Sequence, residues 1–256
     1  MLEAFLEPLA IALFIMTFVF FLAQVLEDNS IADIAWGLVF IIVALYTLFT
    51  NGNFHQRQVL ITLLVLIWGF RLFVHILSRN RGGKETFKYA LYRKRWIRNF
   101  HAKSYIYIYV FQAILIIVIS VPVILVNNHY ETELNWVDHA GLLLWSFGFL
   151  VEVLADYQLH LFKKIRGKEK RFMTEGLWKY SRHPNYFGEM VMWWGLFLIA
   201  FSTPYGWYAI ISPITVIVLI LFISGIPLLE RKYSKNAEYK EYAAKTSIFI
   251  PWFSKK

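Results

Sequence analysis

The chain has 256 residues, no cysteine, and a composition that is 58% apolar and 19% aromatic with only 17% charged residues; its mean hydropathy is +0.50. Soluble domains carry about 45–50% apolar and about 25% charged residues, so a water-soluble globule is excluded in favour of a membrane protein. Without cysteine there is no disulfide, thiolate metal site or cysteine nucleophile, and a net charge of +9 in so apolar a chain points to cytoplasmic loops and membrane surface rather than nucleic acid.

A membrane crossing needs about 20 mostly apolar residues. Seven stretches qualify, at roughly 2–25, 31–50, 59–78, 105–126, 137–162, 186–203 and 207–229. The fold class expected is therefore all-α, a polytopic membrane protein with seven transmembrane helices embedded in a lipid bilayer. Glu3 and Glu7 replace the basic start of a signal peptide, so the first stretch reads as a span. The apolar runs are continuous and do not alternate, which argues against a barrel. Of the 26 basic residues, 24 follow the third, fifth and seventh stretches. Those segments share one side, which the positive-inside rule makes cytoplasmic, with the N-terminus outside and the C-terminus cytoplasmic. No repeat or linker divides the sequence, so 1–256 is expected to form a single membrane-embedded domain.

Ionisable residues inside such spans are costly and mark candidate sites. On the third stretch Arg71, His75 and Arg79 recur every four residues, and on the fifth Glu152, Asp156 and His160 do the same. Asp33 with Trp36, and Asn185 with Glu189 and Trp193, sit near the starts of the second and sixth. Either acids on one helix neutralise bases on another, or the set lines a cavity open to the cytoplasm. Buried ion pairs seldom offset their desolvation, so several in one half of a bundle favour the cavity. Arg79, Lys163, Arg171 and Arg182 would then offer fixed positive charge to a phosphorylated ligand. Asp156 and Glu189 would accept hydrogen bonds from ribose hydroxyls or an amide. The competing reading of the loop lysines is a solvated face attracted to anionic lipid. Neither a Rossmann glycine pattern nor a P-loop is present, so a nucleotide would have to be held by the helices themselves; no metal site is expected.

The densest constellation runs from Glu175 to Glu189, as Glu-Gly-Leu-Trp-Lys-Tyr-Ser-Arg-His-Pro-Asn-Tyr-Phe-Gly-Glu. Pro184 suits a first helical turn, where its missing donor costs nothing, so a helix is predicted to start there. The free amides of that turn, with Arg182, His183 and Asn185 around them, make an anion site at a helix start.

Gly176-Leu-Trp-Lys-Tyr180 and Arg182-His-Pro-Asn-Tyr-Phe-Gly-Glu189, followed by Trp193, resemble the C-terminal signature of the steroid 5-alpha-reductase family, including its bacterial branch. Glu230-Arg-Lys-Tyr233, Glu238-Tyr-Lys-Glu-Tyr242 and Ile250-Pro-Trp-Phe253 are similar to the ending of that branch. Asp33-Ile-Ala-Trp36, Trp68-Gly-Phe-Arg71 and Glu85-Thr-Phe-Lys-Tyr89 followed by Arg93 extend the likeness into the first half.

The resemblance implies a seven-helix oxidoreductase that binds NADPH from the cytoplasm and transfers its hydride to a carbon–carbon double bond conjugated to a ketone, on a steroid or terpenoid lipid. It places the cofactor-binding part at about 137–256, with a bacterial inner membrane as the location. Carried across, Asp156, Lys163, Arg171, Tyr180, Arg182, His183, Asn185, Glu189, Trp193, Glu230 and Arg231 fall on the cofactor side, together with Arg79 towards the phosphates. Trp36 would lie against the flat apolar substrate. Two departures touch catalysis: Ile76 stands where the animal enzymes have a tyrosine, and Val39 and Phe40 stand where they have a glutamate.

Hydride addition to an enone puts charge on the carbonyl oxygen and needs a donor aimed at it. Tyr89, Tyr92, a protonated Asp33 and His75 are the candidates. Tyr89 is preferred, with Asp33 kept as a second catalytic candidate, because a tyrosine stays protonated at neutral pH, although an interfacial tyrosine would look the same. The rival function is an S-adenosylmethionine-dependent methyltransferase of the isoprenylcysteine carboxyl type, which shares the Arg-His-Pro-x-Tyr-x-Gly element. A sulfonium ligand would not call for the basic residues that phosphates do.

Overall fold

The computed structural model describes residues 3–80, 85–130, 133–166 and 172–253. Among them there is no strand, only an isolated bridge between Ser181 and Ser247. Among the described residues, six helical segments are long and apolar enough to cross a membrane, and they fit an integral multi-pass membrane protein. Two compact units divide the chain, Met1–Asn135 with Ile199–Ser212, and Trp136–Leu198 with Pro213–Lys256.

In the first unit, α1 (Glu3–Val25), α2 (Ile31–Asn51) and α3 (Gln56–Asn80) follow the first three apolar stretches. Phe14, Phe18 and Phe21 of α1 stay exposed, as a lipid-facing stripe would. Gly37 and Gly69 let α2 and α3 meet backbone to backbone: a Cβ on Gly37 would stand 2.5 Å from the Gly69 carbonyl oxygen. Next to that contact Phe40 packs edge-on between Trp36 and Trp68, with ring centroids 5.4 and 5.3 Å apart. A short helix, α4 (Phe87–Arg95), comes next. The fourth stretch is not one straight helix: α5 (Phe100–Ser104) runs through a π-helical segment, Tyr105–Val110, into α6 (Phe111–Ile119), and α7 (Val121–Asn127) starts afresh. Pro122 explains the restart, since it cannot donate into the preceding turn and sits at the start of the new helix.

The second unit is built on α8 (Trp136–Arg166) and α9 (Pro184–Phe201), the latter starting at the predicted proline. A Cβ on Gly188 would stand 2.5 Å from the Gly148 oxygen and 2.6 Å from the Glu152 nitrogen, so only hydrogen side chains permit this crossing. α9 is the sixth predicted span, yet it is not among the six segments that satisfy span length and apolarity. Asn185, Tyr186 and Glu189 in its first turns dilute its hydropathy. The last crossing is broken too. It begins with a 3-10 turn (Gly206–Ile210) that belongs to the first unit and continues through α10 (Ile211–Val218), a π-helical segment (Leu219–Ile223) and α11 (Ile226–Tyr233), after which α12 (Ala237–Lys245) leads to the tail.

Candidate functional site

Each unit holds polar side chains brought together from separate segments. In the first, Asp33 opens α2 and Tyr89 lies on α4. Tyr89 is fully buried, and its hydroxyl donates to Asp33 Oδ1 at 2.5 Å. Its oxygen accepts from Gln112 Nε2 and from Lys88 Nζ, both at 3.2 Å. Lys88 also donates to Asp33 Oδ1 at 3.4 Å. Burial, and then the charge of Asp33, push the Tyr89 hydroxyl well above the ordinary tyrosine pKa. A clamp fixes α4 in this place. Glu85 accepts from the backbone and side-chain nitrogens of Asn29 and from Nε and Nη2 of Arg93, and Tyr109 donates to Asn29 Oδ1 at 2.9 Å. Burial raises the Glu85 pKa, but the Arg93 and Asn29 bonds outweigh it and leave that carboxyl below its ordinary range. Tyr92 lies beside the cluster, edge-on to the Tyr89 ring with centroids 6.2 Å apart and stacked on Trp96 at 4.6 Å. His75 is partly buried on α3, Trp36 is partly buried beside Phe40, and Arg79 is exposed in the last turn of α3.

In the second unit, Asn185 on the first turn of α9 donates from Nδ2 to Asp156 Oδ1 on α8 at 3.1 Å. Asn185 Oδ1 is buried with no hydrogen-bond partner among the described residues. The approach to α9 is fixed from both sides. Trp178 Nε1 donates to the Ala155 oxygen at 3.0 Å, and the Leu177 nitrogen donates to Gln158 Oε1 at 3.0 Å. From the tail, the Trp252 nitrogen donates to the Tyr180 oxygen at 2.9 Å, and Tyr242 donates to the Trp178 oxygen at 2.5 Å. The Arg182 nitrogen in turn donates to the Ser247 oxygen at 2.8 Å, and Ser181 Oγ donates to the Phe249 oxygen at 2.6 Å.

Glu230 on α11 gathers three donors. Arg182 Nη1 reaches Oε2 at 3.0 Å, while His183 Nε2 and the Tyr239 hydroxyl reach Oε1 at 3.0 and 2.5 Å. Burial lowers the His183 pKa against the pull of Glu230, and burial with Glu230 raises that of Tyr239. Of the remaining residues read from the sequence, Trp193 is a buried core residue and Glu189 is partly buried. Lys163, Tyr180 and Arg231 are exposed, and Arg171 lies outside the described residues. The structure thus pairs Asp156 with Asn185 and unites Arg182, His183 and Glu230. Gln112 and Asn29 carry no mark in the sequence reading, and Glu85 and Lys88 stand there only within the Glu85–Tyr89 run, with no role assigned. An amide such as Gln112 within an apolar stretch was the available signal.

A polytopic helical membrane protein with such clusters matches known proteins as follows. The chain belongs to the family described as "Protein of unknown function (DUF1295)", whose model matches residues 19–246. It is 25% identical over 261 residues to an uncharacterized protein of Schizosaccharomyces pombe, covering 88% of this chain and 73% of that one. It is 32% identical over 72 residues to 3-oxo-5-alpha-steroid 4-dehydrogenase 1 of Mus musculus, and 32% identical over 72 residues to that of Rattus norvegicus. Those two matches cover 27% of this chain and 28% of each dehydrogenase. No solved structure matches the chain.

Proposed function

We propose that the protein is an NADPH-dependent membrane reductase that saturates the carbon–carbon double bond of a conjugated ketone on a steroid or terpenoid lipid, with its cofactor reached from the cytoplasm. One observation carries most weight: Asn185, held by Asp156, keeps a buried carbonyl oxygen for which no described residue supplies a donor. A buried acceptor without a donor is costly, and a carboxamide or ribose hydroxyl would answer it. The partial likeness to 3-oxo-5-alpha-steroid 4-dehydrogenase supports the same reading.

NADPH, when bound, supplies the hydride. Asn185 and Asp156 would hold its polar groups from the start of α9, with Glu189 one turn further on. Lys163 and Arg231, both exposed, would meet phosphate charge. Arg182 and His183 would act at one remove, because Glu230 already engages Arg182 Nη1 and His183 Nε2. Their part is to fix the turn that presents Asn185. Asp33 holds the Tyr89 proton, and the burial of Tyr89 keeps water from that proton.

The test is binding of NADPH, NADH and S-adenosylmethionine to the purified protein, followed by turnover of a 3-oxo-4-ene steroid. Binding of NADPH with reduction of the steroid is expected. Tight binding of S-adenosylmethionine with none of NADPH would turn the assignment to a methyltransferase. Asn185→Ala is expected to weaken NADPH binding about tenfold, the loss of roughly one hydrogen bond, whereas Lys235→Ala, at an exposed position, leaves it unchanged.

A further inference from the structure

We propose that Lys88 is the catalytic acid, the residue that donates a hydrogen bond and then a proton to the substrate carbonyl oxygen, with Asp33 and Tyr89 positioning it. This role presupposes the reductase activity proposed above.

Tyr89 has a single hydroxyl hydrogen, and Asp33 takes it. Its oxygen already accepts from two donors, and the residue is fully buried. It has nothing left to offer a ligand. Asp33 as a carboxylate only accepts. Lys88 differs on both counts. Its ammonium carries three donors, of which Asp33 and the Tyr89 oxygen engage two. Its side chain is also the most open of the four, 27% exposed against 23% for Asp33, with Tyr89 and Gln112 buried. The cluster contains a second unanswered group: Gln112 Oε1 is buried and accepts from no described residue. A ketone oxygen answers both in sequence, first as an acceptor for Lys88 and then, once protonated, as a hydroxyl donor for Gln112.

The step balances. As the β-carbon gains a hydride, the π electrons of the enone move onto oxygen. The oxygen takes a proton from Lys88 Nζ, whose N–H bonding pair stays on nitrogen, and an enol and a neutral amine result. The enol then loses its hydroxyl proton to water while its α-carbon takes a proton from water. Lys88 recovers its proton from water. The double bond has then gained one hydride and one proton, and the nicotinamide cofactor has been oxidised.

The full-length protein, Lys88→Met and Lys88→Arg are compared in two measurements. The first uses no cofactor: the ultraviolet band of a bound 3-oxo-4-ene steroid moves to longer wavelength when a strong donor meets its oxygen. A red shift is expected in the wild type and in Lys88→Arg, and its loss in Lys88→Met. The second is steady-state reduction with NADPH. Both variants are expected to lose about 100-fold or more in kcat, the usual share of a general acid, because a guanidinium donates hydrogen bonds but does not release its proton. If Lys88 served only to balance the charge of Asp33, Lys88→Arg would restore full turnover, and that result overturns the proposal. Should Lys88→Met fail to fold, the Asp33→Asn/Lys88→Met pair, which removes both charges together, gives the same reading. A wild type that shows the Lys88-dependent shift but no reduction defeats the reductase activity and leaves the contact standing. A wild type that reduces the steroid no faster than Lys88→Met defeats Lys88 alone.

Discussion

Glu230 in the second unit and Asp33 in the first are both carboxylates ringed by a base and a tyrosine, yet Glu230 closes on its partners with both oxygens and Asp33, the more open of the two, with one. Glu230 uses both oxygens, on Arg182, His183 and Tyr239. Its partners lie on segments that the tail also holds by backbone bonds. Asp33 receives Tyr89 and Lys88 on a single oxygen, and beside them Gln112 keeps an unanswered acceptor. Each cluster keeps one buried group without a partner among the described residues, Arg182 Nε in the second unit and Gln112 Oε1 in the first, so the two differ in the carboxylate: Glu230 has both oxygens engaged and Asp33 one. Arg182 and His183, in the most distinctive stretch of the sequence, are thus tied to Glu230, whereas Lys88 has one ammonium donor beyond those that Asp33 and Tyr89 engage.

The largest expected effect breaks the closed ring. Glu230→Ala leaves Arg182 and His183 without their acceptor and is expected to cost about 3 kcal/mol, the low end for opening a buried ion pair because Glu230 is partly exposed. Thermal unfolding in detergent measures it. Gly188→Ala strikes the α8–α9 crossing that carries the Asp156–Asn185 pair, and overpacking of this kind costs about 2 kcal/mol; the same assay reads it. In the open ring, Asp33→Asn keeps an acceptor for Tyr89 and is expected to cost only about 1 kcal/mol. A loss as large as that of Glu230→Ala would erase the contrast between the two clusters.

The smallest effect is in pH. The His183 pKa is lowered in the folded protein from its ordinary 6.5, so below that value the unfolded chain binds the proton more readily than the folded one. Stability is therefore expected to be level above 6.5 and to decline as pH falls beneath it. His183→Asn should flatten that limb, as denaturant midpoints measured across the range would show.

Much of the frame was legible because it depends on neighbours along the chain. Continuous apolar runs gave the crossings, and Pro184 gave the first residue of α9. Where a local feature was underweighted, the reading was too simple: Pro122 divides the fourth stretch, and the polar first turns of α9 keep it outside the six span-like segments. Asp156 with Asn185, and Asp33 with Tyr89, were each singled out, but not as partners. Lys88 stood only inside the Glu85–Tyr89 run, with no role of its own, since a lysine in a basic segment looks like its solvated neighbours.

What the sequence determined by itself is a helical membrane protein, the order of its apolar segments and the residue types available for chemistry. Hydropathy and proline geometry are properties of a few consecutive residues, so they need no fold to be read. Only the tertiary structure decided that Glu230 closes on Arg182 and His183, and that Lys88 meets Asp33. Those partners lie some fifty residues apart in sequence. Which donor reaches which acceptor is fixed by helix crossings and returning chain, and no local pattern carries that information.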